Sequence, residues 1–104
     1  MLLEKLSYSE NDIVTLKLIS GEEVIGKFIS EDSQAVTLDK PLTLAMSQKG
    51  VGMVPLLMTV NPDNKLKINK QAITIMVHSD EDIGKQYTFQ VTGIQPVSTS
   101  DFMR

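Results

Sequence analysis

The chain has 104 residues, 41% hydrophobic and 22% charged, and a formal net charge of −3. That length is expected to form a single domain with a modest core, and the acidic balance argues against a sequence-blind polyanion binder, which would be strongly basic. Cysteine is absent, which excludes disulfides, cysteine-based zinc sites and a thiol nucleophile.

Residues 1–11 open with Leu2, Leu3 and Leu6 and then turn polar, a pattern that fits a short helix or an arm packed on a neighbour. From Ile13 to Ile19 apolar Val14, Leu16 and Leu18 alternate with Thr15 and Lys17, the period of a half-buried strand. Ser20-Gly21-Glu22 reads as a turn, where a glycine permits a left-handed backbone. The next strand, Glu23 to Ser30, places Val24, Gly26 and Phe28 inward. Gly26 inside it allows a sharp bend or the close approach of another backbone. Ile25 and Ile29 then fall on the outer face, so either another part of the chain or a second subunit must cover them.

After the corner Glu31-Asp32-Ser33, alternation resumes through Val36 and Leu38, and Pro41 allows a bend before Leu42, Leu44 and Met46. Ser47 to Gly52 has the composition of a flexible loop. Met53 to Val60 is apolar apart from Thr59, with Pro55 at a bulge, strand start or edge. Asn61-Pro62-Asp63-Asn64 is a turn. Leu66 to His78 forms two apolar pieces around the polar corner Asn69-Lys70-Gln71. Ser79 is placed to cap a helix over about residues 80–92, with Asp82 at the capping-box distance and acids at the positive end of the dipole. Its stripe is Ile83, Tyr87, Val91 and Ile94, and Gly93 is the stop. Tyr87, Phe89 and Val91 also alternate as a strand would, and Gly84 costs a helix about 1 kcal/mol; helix is preferred. Residues 96–104 read as a loose tail. The whole is expected to be one domain, with core strands over about 13–78.

Two blocks resemble the Sm-like family, the ring-forming proteins that include Sm, Lsm and the RNA chaperone Hfq. In the first, Gly21, Gly26 and Asp32 stand at the family's spacing, with Val24 and Phe28 at core positions. In the second, Lys70-Gln71-Ala72-Ile73-Thr74 is similar to the Lys-His-Ala-Ile-Ser of Hfq, with Gln71 for the histidine. The departures are Val36 where Sm and Lsm proteins place a base-reading asparagine, Gln34 where an aromatic stacks, and Asn69-Lys70 where the Sm corner has arginine-glycine. The layout is also similar to small Sm-like proteins of tailed phages. The resemblance implies a mainly β fold, a small, strongly bent five-stranded antiparallel open barrel, here with a C-terminal helix. It implies a homo-oligomeric ring closed by the edges of the fourth and fifth strands, a use for which the stretches Met53 to Val60 and Ile73 to Val77 are apolar enough. It also implies a pore lined by two polar corners, Asp32-Ser33-Gln34 and Asn69-Lys70-Gln71.

Amides and hydroxyls at such corners can bond the edge of an unstacked base, and Lys70 can pair with a phosphate. The competing reading makes them ordinary turn residues, with Asp32 accepting backbone N–H bonds; for Asp32 that role is preferred. Lys65, Lys67 and Lys70 are either phosphate contacts or edge protection. His78, the sole histidine, reads as a solvated or locally bonded imidazole. The Asp80-Glu81-Asp82 run lacks the ligand spacing of a calcium loop. Met46, Met53, Met58 and Met76 read as core or interface packing. No phosphate loop, nucleophile elbow or paired-carboxylate pattern occurs, so neither an enzyme nor a cofactor is expected. The apolar runs fall short of the roughly 18 residues of a membrane span and the start lacks a secretory layout; a cytoplasmic protein without membrane contact is expected. Two functions follow: a ring that binds single-stranded nucleic acid, RNA before DNA, or a protein–protein adaptor or structural ring without that activity.

Overall fold

The computed structural model describes residues 7–92; the readings made for residues 1–6, Gly93, Ile94 and the tail lie outside them. The elements in order are β1 (Ile13–Leu18), β2 (Glu23–Glu31), β3 (Ala35–Ser47), β4 (Gly50–Pro55), β5 (Lys65–Asn69), a 3-10 turn (Lys70–Ala72), β6 (Ile73–His78) and α1 (Glu81–Thr92). All pairings are antiparallel. Across the sheet the order is β4-β3-β2-β1-β6, and β5 also lies on β3. The result is a mainly β, strongly bent open sheet with one C-terminal helix. Six strands occupy five positions, because β4 and β5 take successive stretches of the same side of β3. Residues 56–64, between them, leave the sheet.

The bend has a local cause. Gly21 takes φ +108°, and its N–H donates to the Leu18 carbonyl at 2.9 Å to close the β1–β2 turn. Ile25 pairs with Leu42 but Lys27 pairs with Asp39, so β3 carries an extra residue opposite Gly26. Lys40 sits there with φ +47°. A bulge of this kind bends its strand and raises the twist. Gly26 is what lets the two backbones close: a Cβ would lie 3.1 Å from Leu38 Cδ1 and 3.3 Å from Pro41 Cα. The close-approach role expected of Gly26 is thus the observed one.

Curvature folds the inner face around Val14, Leu16, Val24, Phe28, Val36 and Leu38, all buried. On the outer face Ile25 is buried against Leu42 and Tyr87. The cover required over Ile25 is therefore supplied by α1 of the same chain. The Tyr87 side chain is fully buried, and its hydroxyl donates toward the carbonyls of Asp39 (3.0 Å) and Lys40 (2.8 Å). It ties the helix to the bulge. Burial pushes the Tyr87 hydroxyl well above the usual tyrosine range, and the nearby Asp39 charge pushes the same way.

Four expectations need correction. Ser47 to Gly52 is a β-hairpin tip, with Met46 opposite Val51 and Ser47 opposite Gly50. Its cross-strand pairing outweighs a loop-like composition. Of Met53 to Val60 only the first three residues are strand; Leu57, Met58 and Val60 are exposed on the excursion that follows. Met46 and Met58 are 80% and 77% exposed, which removes the core alternative for these two and leaves interface packing. The helix starts one residue later than expected. Asp80 caps it, its Oδ2 accepting the N–H of Asp82 (3.1 Å) and Ile83 (3.4 Å). Ser79 instead extends the strand edge, its N–H donating to the Ile13 carbonyl and its hydroxyl sharing a hydrogen bond with Thr15. Ile83 consequently faces outward, and the packed stripe is Gly84, Tyr87 and Val91.

Candidate nucleic-acid interface

Each polar corner is built by one side chain folding its own backbone. Asp32 Oδ1 accepts the N–H groups of Gln34 (2.7 Å) and Ala35 (2.8 Å), making the turn from β2 to β3. Those two backbone bonds hold the Asp32 carboxyl below the ordinary range, with Lys67 and Lys70 adding a smaller pull. Asn69 does the equivalent work at the second corner: its Oδ1 accepts Gln71 N–H at 2.8 Å, and the 3-10 turn closes with Ile73 N–H on the Lys70 carbonyl.

The corners lie 35 positions apart in the chain but touch. The Lys70 backbone N–H donates to the Gln34 carbonyl at 2.8 Å, and Ala35 pairs with Asn69 in the β3–β5 ladder. All six residues singled out, Asp32, Ser33, Gln34, Asn69, Lys70 and Gln71, therefore share one surface, and all but half-buried Lys70 are exposed. The hydroxyl of Ser33 and the amides of Gln34 and Gln71 make no side-chain hydrogen bond among the described residues and face solvent, whereas Asp32 and the Asn69 oxygen are occupied by the turns they hold.

Lys70 has a partner that sequence reading missed. Its Nζ is 2.9 Å from Glu31 Oε1, both side chains 38% exposed. Glu31 precedes the corner by one residue, and nothing local ties it to a lysine far along the chain; the pairing exists because the corners meet. In such an exposed pair, solvent screens much of the attraction, so the lysine can exchange a carboxylate for a phosphate. Val36, at the position of the family's base-reading asparagine, is buried in the inner cluster and offers nothing to a ligand.

The remaining polar candidates sit elsewhere. His78 Nε2 lies 3.0 Å from Asp12 Oδ2, and its ring is 4.8 Å from that of Tyr8. It is a locally bonded imidazole that holds the segment before β1. The Asp12 carboxyl is held low by the Ser9 N–H first and by His78 second. No group of three or more His, Asp or Glu that could hold a metal occurs among the described residues. A groove of about 500 Å³, lined by Leu42, Pro55, Leu57, Met58, Leu66 and Val91 among others, lies between the 56–64 excursion and α1. None of the six corner residues lines it. Among the described residues no helix is long and apolar enough to cross a membrane.

No family model matches the chain, and no curated protein does. Among solved structures it is similar to a heptameric archaeal Sm protein, at 14% identity and a TM-score of 0.49, with 69% of this chain and 91% of that one covered.

Proposed function

We propose that the chain is a subunit of a ring that binds single-stranded nucleic acid, RNA before DNA, at the joined corners. The observation that supports this most is the Lys70 N–H to Gln34 carbonyl bond, because it makes one recognition surface out of two separate turns. The resemblance of the Gly21-Gly26-Asp32 and Lys70-Gln71-Ala72-Ile73-Thr74 blocks to Sm-like chains supplies the rest. In this reading Ser33, Gln34 and Gln71 bond base edges, Lys70 pairs with phosphate, and Asp32 and Asn69 shape the corners. None of the six corner residues is aromatic, so the stacking contribution of about 1–3 kcal/mol per base is missing from them. A single corner pair is weak, and affinity comes from several subunits engaging one strand.

A ring that binds proteins and no nucleic acid is the second reading. The Lys70–Glu31 ion pair favours it, since it offsets the one cation at the corners. Titration of labelled U-rich RNA, A-rich RNA and single-stranded DNA at low salt separates the two. The first reading expects Lys70→Ala and Gln71→Ala to weaken binding and Glu31→Gln to strengthen it. Binding unchanged in all three variants would reject the site. No binding by the unaltered chain would leave the second reading.

A further inference from the structure

Helix α1 crosses the outer face of the sheet from strand to strand. Gly84 faces Ile13 of β1, Tyr87 shares a buried cluster with Ile25 of β2 and Leu42 of β3, and Gln90 Nε2 donates to the Met53 carbonyl of β4 at 3.0 Å. No strand lies on the far side of β4 among the described residues, so the last turn of α1 stands at a rim. The groove of about 500 Å³ opens there. Val91 and Gln90 line it together with Leu57, Met58 and Val60 of the excursion and Leu66 of β5. Leu57, Met58 and Val60 are 48%, 77% and 37% exposed, a concentration of bare apolar surface that calls for a cover.

The lining is selective in charge. Lys40 is its only charged residue, and the Lys40 Nζ already lies 3.5 Å from Asp63 Oδ1. A neutral, apolar segment therefore fits, and a charged one does not. The chain delivers such a segment to the same place. Gly93 follows Thr92, and residues 93–100, Gly-Ile-Gln-Pro-Val-Ser-Thr-Ser, carry no charge. Their large apolar members, Ile94, Pro96 and Val97, come early. Glycine turns a chain out of a helix without strain, and proline brings no N–H that an apolar groove would leave unsatisfied. At about 3.4 Å per extended residue, positions 93–97 reach about 17 Å, ample for a groove that Val91 itself lines.

We infer that the groove is a binding site for a neutral, proline-containing apolar segment and that its occupant is residues 94–97 of the same chain. Seated there, Ile94, Pro96 and Val97 cover Leu57, Met58 and Val60 and close the outer cluster around Tyr87 at its β4 end. The segment acts as a strap between the 56–64 excursion and α1, two parts that no strand pairing joins. None of the six corner residues lines the groove, so the strap neither requires the ring nor occupies the corner surface.

The test uses the full chain, whose lack of cysteine makes any introduced pair unambiguous. M58C/Q95C, bridged by a short bismaleimide, should cross-link at least about tenfold faster than E81C/Q95C, whose first site stands at the other end of α1, because docking raises the effective concentration. Light and isotope-labelled M58C/Q95C chains, mixed unfolded and refolded together, should give links within single chains by mass spectrometry. I94S/V97S should lower Tm by roughly 5–10 °C. Combined with L57S/V60S, it should lose less than the sum of the two losses, since the same contacts are removed twice. Circular dichroism establishes that each variant is folded, and I94A/V97A replaces I94S/V97S if the serines unfold the chain. Equal cross-linking at the two cysteine pairs, or additive losses, would overturn the strap. Links mainly between chains would overturn the assignment to the same chain and make a second copy the occupant.

Discussion

Replacing Gly26 with alanine tests the physical cause of the bend. The added Cβ would sit 3.1 Å from Leu38 Cδ1, 3.3 Å from Pro41 Cα and 3.4 Å from Leu38 Cβ. Leu38 is fully buried and has no solvent to turn into, while Pro41 Cα is backbone at the bulge. Neither neighbour can yield cheaply. Overpacking of this kind costs about 1–3 kcal/mol, against about 0.4–1 kcal/mol regained from a less flexible unfolded chain. A net loss of about 1–2 kcal/mol follows, which lowers Tm by roughly 5–15 °C in a domain of this size. Urea unfolding at fixed protein concentration should show a lower midpoint with an unchanged slope. Leu38→Val removes the atom nearest the new methyl, so the double variant should lose less than the sum of the single losses. A Gly26→Ala chain as stable as the original, or additivity with Leu38→Val, would refute the argument that contact across the bulge requires glycine.

Other outcomes follow from the same structure. Tyr87→Phe keeps the ring that covers Ile25 but deletes the hydroxyl bonded to Asp39 and Lys40; it should cost about 1 kcal/mol, read as a lower melting temperature, and no loss would show that the packing alone holds α1. The folded chain holds the Asp32 carboxyl below its ordinary pKa, so its contribution to stability is complete above about pH 4 and is lost as pH falls through the folded value. Melting temperature should therefore fall on acidification, and Asp32→Asn, which cannot titrate, should flatten part of that decline; an identical pH profile would remove Asp32 from the account.

The short-range features were legible in the sequence because each is decided within a few residues. Gly21 turns the chain because only a left-handed backbone closes that turn. Asp32 and Asn69 hold their corners through side-chain oxygens that reach the backbone two or three residues on. Alternation in β1 marks the inner face because strand period and burial coincide there. Ile25 on the outer face gave notice of a cover, although not that it would be α1.

What needed the tertiary structure is everything set by partners distant in sequence. Ser47 to Gly52 is a hairpin tip because Met46 meets Val51, and the chain leaves the sheet after Pro55, β5 taking the next stretch of the same side of β3. Ser79 yields capping to Asp80 because Ile13 and Thr15 claim its groups. Glu31 meets Lys70 only once the two corners are brought together. Backbone turns are solved locally by whichever residues stand there, but burial, strand partnership and ion pairing are competitions across the whole chain. Their winners are settled only when the sheet has bent.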